Sequence, residues 1–199
     1  MIKNIVFDLG NVLLSFRPEE FLTKKNYAED YRQKILSDIF RSKEWLLLDN
    51  GDINLNKAID LIASRSSLKN EEIASVFNLR AELMYPLSLN VDLLPDLSKR
   101  GFRLFYLSNF PIDIYDEIKA QYSFFKYFDG GLISAEIKFS KPDTRIFEIL
   151  TEKYLLKPEE TLFIDDLEIN VKGAEKTGMK GLVTFGSPDI SKDLENSLI

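Results

Sequence analysis

Two side chains that carry much of enzyme chemistry are missing outright, since the 199-residue chain has no histidine and no cysteine. Ser-His-Asp triads, cysteine nucleophiles, thiolate or imidazole zinc sites and disulfides are excluded with them. Any metal must then be held by oxygens, which selects hard cations, Mg²⁺ first and Ca²⁺ or Mn²⁺ after it. Positive charge is in deficit too, with 26 Lys and Arg against 32 Asp and Glu and a formal charge of -6. No basic run offers a footprint for a phosphate backbone, so nucleic acid is not an expected partner. No apolar stretch reaches the roughly 18 residues that would span a bilayer, and Ile5-Val6-Phe7 meets Asp8 too soon for a signal peptide. The expectation is a cytoplasmic protein with no membrane partner, monomeric or homodimeric.

What is present is apolar material for one sizeable core, 45% of the residues, in a length that suits one domain with a large insertion. Short β-branched or aromatic runs recur at Ile5–Phe7, Leu104–Leu107, Leu162–Ile164 and Leu182–Phe185, with helical periodicity between them. The pattern predicts an α/β fold, a Rossmann-like parallel sheet covered by helices. The stretch from about Pro18 to Leu87 has no convincing strand. Its helical stripes are Tyr31, Ile35, Leu36, Ile39 and Phe40, then Leu55, Ala58, Ile59 and Ile62, then Ile73, Val76, Phe77 and Leu83, and Asn50-Gly51 marks a turn. The expected organisation is a core of residues 1–16 and 88–199 with an all-helical insertion at 17–87. That insertion is either a cap over an active site or a subdomain that only adds stability.

Three strands end in polar residues, at Asp8, Ser108-Asn109 and Asp165-Asp166, where open α/β sheets gather ligands. Taken singly, each has a structural explanation. Asp8 reads as a turn former, Asp165-Asp166 as an N-cap pair for the helix ending near Gly178, and Lys141-Pro142 as a helix start with Ile146, Phe147, Leu150 and Tyr154 as its buried stripe. Taken together they fall in a recognisable order: Phe7-Asp8-Leu9-Gly10-Asn11-Val12-Leu13, Leu107-Ser108-Asn109, Lys141-Pro142-Asp143, and Ile164-Asp165-Asp166 with Asn170, Gly173-Ala174 and Gly178.

This series resembles the four motifs of the haloacid dehalogenase superfamily (HAD), in the branch with a helical cap after the first strand. The resemblance implies a HAD-like phosphatase acting on a small phosphorylated metabolite. Asp8 would be the nucleophile that forms an aspartyl-phosphate. Mg²⁺ would be held by Asp8, the Gly10 carbonyl and Asp166, with Asp165 in support. Ser108, Asn109 and Lys141 would bind the phosphoryl group, and Trp45 and Arg17, with Phe16, Asp49 and Asn50 as further candidates, would set substrate choice. One departure stands out, because the family's usual opening is Asp-x-Asp-Gly-Thr and its second Asp is the general acid and base. Here that position is Gly10. The first motif is also similar to that of a sub-branch containing a sugar-1-phosphate phosphatase, so a hexose 1-phosphate, whose anomeric oxygen leaves readily, is the substrate expected. A non-catalytic phosphometabolite-binding protein and a sugar phosphomutase are the alternatives.

Overall fold

The computed structural model describes residues 1–198. Strand β1 (Asn4–Phe7) is followed by a helical insertion of α1 (Pro18–Lys24), α2 (Glu29–Ile35), α3 (Lys43–Asp49), α4 (Leu55–Ala63), α5 (Asn70–Asn78) and α6 (Arg80–Leu83). Then come α7 (Ser88–Val91), α8 (Leu94–Lys99), β2 (Arg103–Ser108), α9 (Ile112–Gln121), β3 (Gly130–Ile133), α10 (Ser134–Ile137), α11 (Thr144–Tyr154), β4 (Thr161–Asp165), α12 (Glu168–Glu175), β5 (Lys180–Val183) and α13 (Ser191–Leu198).

The five strands form one parallel sheet in the order β3-β2-β1-β4-β5. Both faces are covered, which is why the strands read as continuous apolar runs rather than alternating ones. Successive side chains point to opposite faces. Ile5, Phe7, Leu104, Tyr106, Leu162 and Ile164 pack with helices α8, α9 and α13, while Val6, Phe105, Leu107 and Phe163 pack with α11 and α12. The chain runs outward from β1 to β2 and β3, then crosses to β4 and β5. The crevice between the carboxyl ends of β1 and β4 is therefore the switch point, where ligands bind in open sheets of this kind.

The insertion has its own apolar centre. Leu22, Ile35, Leu36, Ile39, Trp45, Leu48, Ala58, Ile62, Leu68, Ile73, Val76 and Phe77 are buried together. Each of the first two sequence stripes lies on that centre, but Leu83 falls in the separate short helix α6 and outside the cluster. Ser42 and Asn54 start α3 and α4 by accepting from Trp45 N at 3.1 Å and Lys57 N at 2.9 Å. Among the described residues no helix is long and apolar enough to cross a membrane.

Two element boundaries differ from the sequence reading. Strand β5 sits at Lys180–Val183, so Phe185 lies beyond it, 80% exposed and at φ 50°. Helix α11 starts at Thr144, capped by the Asp143 carboxylate accepting from Arg145 N at 3.0 Å, and Pro142 stands outside it after a cis peptide bond. The Lys141-Pro142 backbone instead packs against α12. A Cβ on Gly173 would lie 2.6 Å from the Pro142 carbonyl oxygen, so that helix approaches only because the position is glycine. Gly173→Ala should overpack this contact at a cost of about 1–3 kcal/mol and lower the melting temperature by roughly 2–10 °C, measurable by calorimetry.

Candidate active site

Asp8 stands directly after β1, and its N–H continues the ladder to the Ile164 carbonyl at 2.8 Å. Ser108 closes β2 and Asp165 closes β4, so three strand ends present their polar side chains to one place. Lys141 reaches the same point from the segment before α11. Its Nζ lies 2.8 Å from Asp8 Oδ1 and 2.6 Å from Asp165 Oδ2, with the side chain 1% exposed.

The charges there are strongly perturbed. Burial pushes the Asp8 carboxyl up to about 7, with Lys141 pulling it down, Asp165 pushing it up and the Ser108 hydroxyl opposing the rise. Burial works against the Lys141 ammonium, but Asp165 and Asp8 outweigh it and hold its pKa above the ordinary value. Asp166 is raised by burial and by Asp165, against a hydrogen bond from Asn11. Asp165 is tied on every side. It accepts from Lys141 Nζ, from Leu167 N at 2.9 Å, and from Asn170 Nδ2 at 3.0 and 3.1 Å. That carboxylate therefore orients Lys141 and the turn into α12.

Asp8 Oδ1 is in a different condition. It meets Lys141 only as an off-axis ion pair and is the one buried side-chain oxygen or nitrogen without a hydrogen-bond partner among the described residues. Asp8, Asp165 and Asp166 each present a carboxylate oxygen within 4.8 Å of one another. An all-oxygen donor set with an unsatisfied buried member fits a hard divalent cation such as Mg²⁺. Gly10 lines the same cavity and leaves room there, since a Cβ on it would meet only Asp8 Oδ2, at 3.8 Å.

Asn109 holds Lys141 in place through its own amide. Asn109 Oδ1 accepts from Lys141 N at 2.8 Å and its Nδ2 donates to Lys141 O at 3.0 Å. The cavity above these residues measures about 240 Å³ and is roofed by the insertion, through Trp45, Asp49 and Met84, with Phe16 beside them. A volume that small suits a metabolite rather than a large ligand. A family model described as haloacid dehalogenase-like hydrolase matches residues 2–178. The chain belongs to that family.

Among relatives of this haloacid dehalogenase-like hydrolase is the sesquiterpene phosphatase AstK of Aspergillus oryzae, 27% identical over 180 residues, 90% of this chain and 88% of that protein. A phosphorylated carbohydrates phosphatase of Thermotoga maritima is 24% identical, over 90% of this chain and 83% of its own length. A HAD family enzyme of Bacteroides thetaiotaomicron, solved as a magnesium complex, is 26% identical with a TM-score of 0.76, covering 97% of this chain and 98% of that one.

Of the residues singled out in the sequence, Asp8, Gly10, Ser108, Asn109, Lys141 and Asp166 line the cavity of this haloacid dehalogenase-like hydrolase, and Asp165 lies directly behind. Trp45 lines it too, and also stacks on Phe77 and packs with Phe16 and Phe40. Arg17, expected beside the substrate, instead donates to the Gly186 carbonyl, pairs with Glu20 and faces a separate surface groove. Asn50 is occupied as well, accepting from Ser140 Oγ at 3.0 Å.

The sequence reading missed Asn11 as a site residue. At φ 52° it accepts from Phe16 N and donates to Asp166 Oδ2 at 3.2 Å, fixing both the turn and the acidic pair. Its signal was an Asn after a Gly behind a strand, a residue suited to left-handed backbone. Asn90 was also missed. It is fully buried, donating to the Val12 carbonyl at 2.7 Å and to Ser187 O at 3.3 Å and accepting from Ile190 N at 3.0 Å.

Proposed function

We propose that this hydrolase is a Mg²⁺-dependent phosphatase of small phosphomonoesters with Asp8 as its nucleophile. The observation that carries the reading is Lys141, buried between Asp8 and Asp165 at the switch point of the sheet. A permanent buried cation against an anionic nucleophile is what in-line attack on a phosphoryl group requires. An Asp8 oxygen attacks phosphorus, the bond to the ester oxygen breaks, and the phosphoryl group rests on Asp8 as an acyl-phosphate until water cleaves it. Lys141, the Ser108 hydroxyl and the Asn109 backbone N–H bind the phosphoryl oxygens. Held by Asp8, Asp166 and the Gly10 carbonyl, Mg²⁺ when bound offsets the negative charge shared by nucleophile and substrate. The helical insertion serves as the cap, since it supplies the roof of the cavity.

Within this class the reading from the first motif is a sugar 1-phosphate such as a hexose 1-phosphate. A second reading has its own observation. Leu14, Phe16, Trp45, Met84 and Phe110 give the cavity an apolar wall that favours the phosphate of an apolar alcohol. A phosphate-release screen over sugar phosphates, prenyl phosphates, nucleotides and small phosphoacids tests both, and no release from any phosphomonoester with Mg²⁺ present would reject the phosphatase reading. EDTA should reduce turnover to background and added Mg²⁺ should restore it. Asp166→Ala should raise the Mg²⁺ concentration for half-maximal rate by about 10-fold or more, read from a titration of rate against metal.

A further inference from the structure

Gly10 leaves the proposed reaction without a proton carrier on the strand end, and the cavity contains a replacement. Four titratable side chains line it: Asp8, Asp49, Lys141 and Asp166. Asp8 is the nucleophile, Lys141 is committed to two carboxylates, and Asp166 accepts from Asn11 beside the cation donors. Only Asp49 has no assignment. Among the described residues it forms no ion pair, although it is half-buried and lines the cavity.

Its placement is poor for a structural carboxylate. Asp49 is the last residue of α3, where the helix presents its unpaired carbonyls and partial negative charge, an end that favours cations and opposes a carboxylate. The turn that carries it is fastened to the sheet domain by side chains of the α10 region. Ser134 Oγ donates to the Asp49 carbonyl while accepting from Phe110 N at 2.9 Å, Lys138 Nζ donates to the Gly51 carbonyl, and Ser140 Oγ donates to Asn50 Oδ1. Gly51, at φ 68°, sits so close to α10 that a Cβ there would lie 2.7 Å from the Ala135 carbonyl oxygen. A single hydroxyl, that of Ser134, thus links the residue after the Ser108-Asn109 loop to the backbone of Asp49.

We infer that Asp49, reaching into the cavity from the insertion, is the general acid and base of the reaction, in the role that Gly10 cannot fill. The inference rests on the phosphatase reading above. In the first step the Asp49 carboxyl gives its proton to the ester oxygen as the bond to phosphorus breaks, releasing the alcohol. In the second the Asp49 carboxylate takes a proton from water, whose oxygen bonds to phosphorus as the acyl-phosphate bond to Asp8 breaks, releasing phosphate. The groups around it support the first step. Burial holds the Asp49 carboxyl well above the ordinary carboxylate range; Arg80 of α6 and the Trp45 indole on α3 oppose this, and Asp8 across the cavity adds to it. Arg80 is already engaged, its Nη2 lying 2.6 Å from Asp113 Oδ2 on α9.

Rapid mixing of Asp49→Asn with p-nitrophenyl phosphate and Mg²⁺ tests the assignment. Nitrophenolate needs no proton to leave, so the variant should release one equivalent per enzyme in a fast burst. It should then turn over about 10²-fold more slowly than the parent, because nothing deprotonates the attacking water. With an alkyl phosphate the first turnover should fall by a similar factor. Gly10→Asp placed on Asp49→Asn should recover at least tenfold of the steady-state rate, as the space beside Asp8 allows. A steady-state rate equal to the parent's on the alkyl phosphate, or loss of the burst in both variants, would overturn the assignment. Nitrophenolate release by Asp8→Asn would reject the nucleophile itself and so the phosphatase reading.

Discussion

Asp8→Asn should abolish turnover, a loss on the order of 10⁴-fold or more, while leaving the protein more stable than the parent in metal-free buffer above pH 7. The amide keeps the shape of the side chain but cannot form an acyl-phosphate. The gain in stability follows from the sign of the pKa shift. Asp8 is raised from 3.8 to about 7 in the folded protein, first by burial. A carboxyl that holds its proton more tightly when folded favours folding least once it is ionised. Its cost therefore grows as pH rises from about 4 to about 7 and is full above that range. The neutral amide of the variant carries no such cost. Denaturant unfolding of both proteins in EDTA at pH 5 and pH 8 should show the gap opening at pH 8, and equal midpoints at both pH values would refute the account.

Lys141→Ala should damage the fold as well as the chemistry. Among the described residues its ammonium is the only cation contacting the buried carboxylates of Asp8 and Asp165, at 2.8 and 2.6 Å. Removing one partner of a buried ion pair leaves uncompensated charge, at about 3–5 kcal/mol. Asp8 can take up a proton and relieve part of this, so the loss should shrink at low pH. Turnover should fall by about 10²–10³-fold through loss of a preorganised positive charge. Lys141→Met restores the buried volume without the charge. It should match Lys141→Ala in activity, which steady-state kinetics would show, and a Met variant near parental activity would contradict the role of the ammonium.

Much of the core was legible in the sequence because buried parallel strands must be apolar on both faces, so β1, β2 and β4 stand out as unbroken runs that stop at polar residues. Strand β3 was hidden by Gly130-Gly131, which reads as a turn. The glycines are there for tertiary reasons. A Cβ on either would lie 2.4 Å from a tyrosine ring, Tyr154 for the first and Tyr106 for the second. The hydroxyl of Tyr154 also bonds to both the N–H and the carbonyl of Gly131 at 2.9 Å, completing an edge that no further strand covers among the described residues.

The site divides in the same way. Residues at strand ends could be placed from the sequence, because the sheet dictates where strand ends gather. Asp49 could be noticed but not placed, because the turn that carries it to the cavity is fixed by Ser134, Lys138 and Ser140, some 85 to 90 residues away in the chain. Arg17 failed for the converse reason: nearness in sequence to the first motif does not bring its side chain to the cavity. With Asp49 as proton carrier, the absence of an acid at Gly10 no longer limits the enzyme to esters with easily displaced leaving groups.

The position of β1 also has a consequence for how the protein is made. The strand that ends at Asp8 is central in the sheet, hydrogen-bonded to β2 on one side and β4 on the other, and the loop after it is pinned through Asn90 to Ser187 and Ile190. Asp8 thus leaves the ribosome well before most of its surroundings, which are assembled from segments synthesised much later. Until β4 and the 187–190 segment emerge, β1 is an apolar strand with an open edge, the kind of surface that aggregates or needs a chaperone's cover during synthesis.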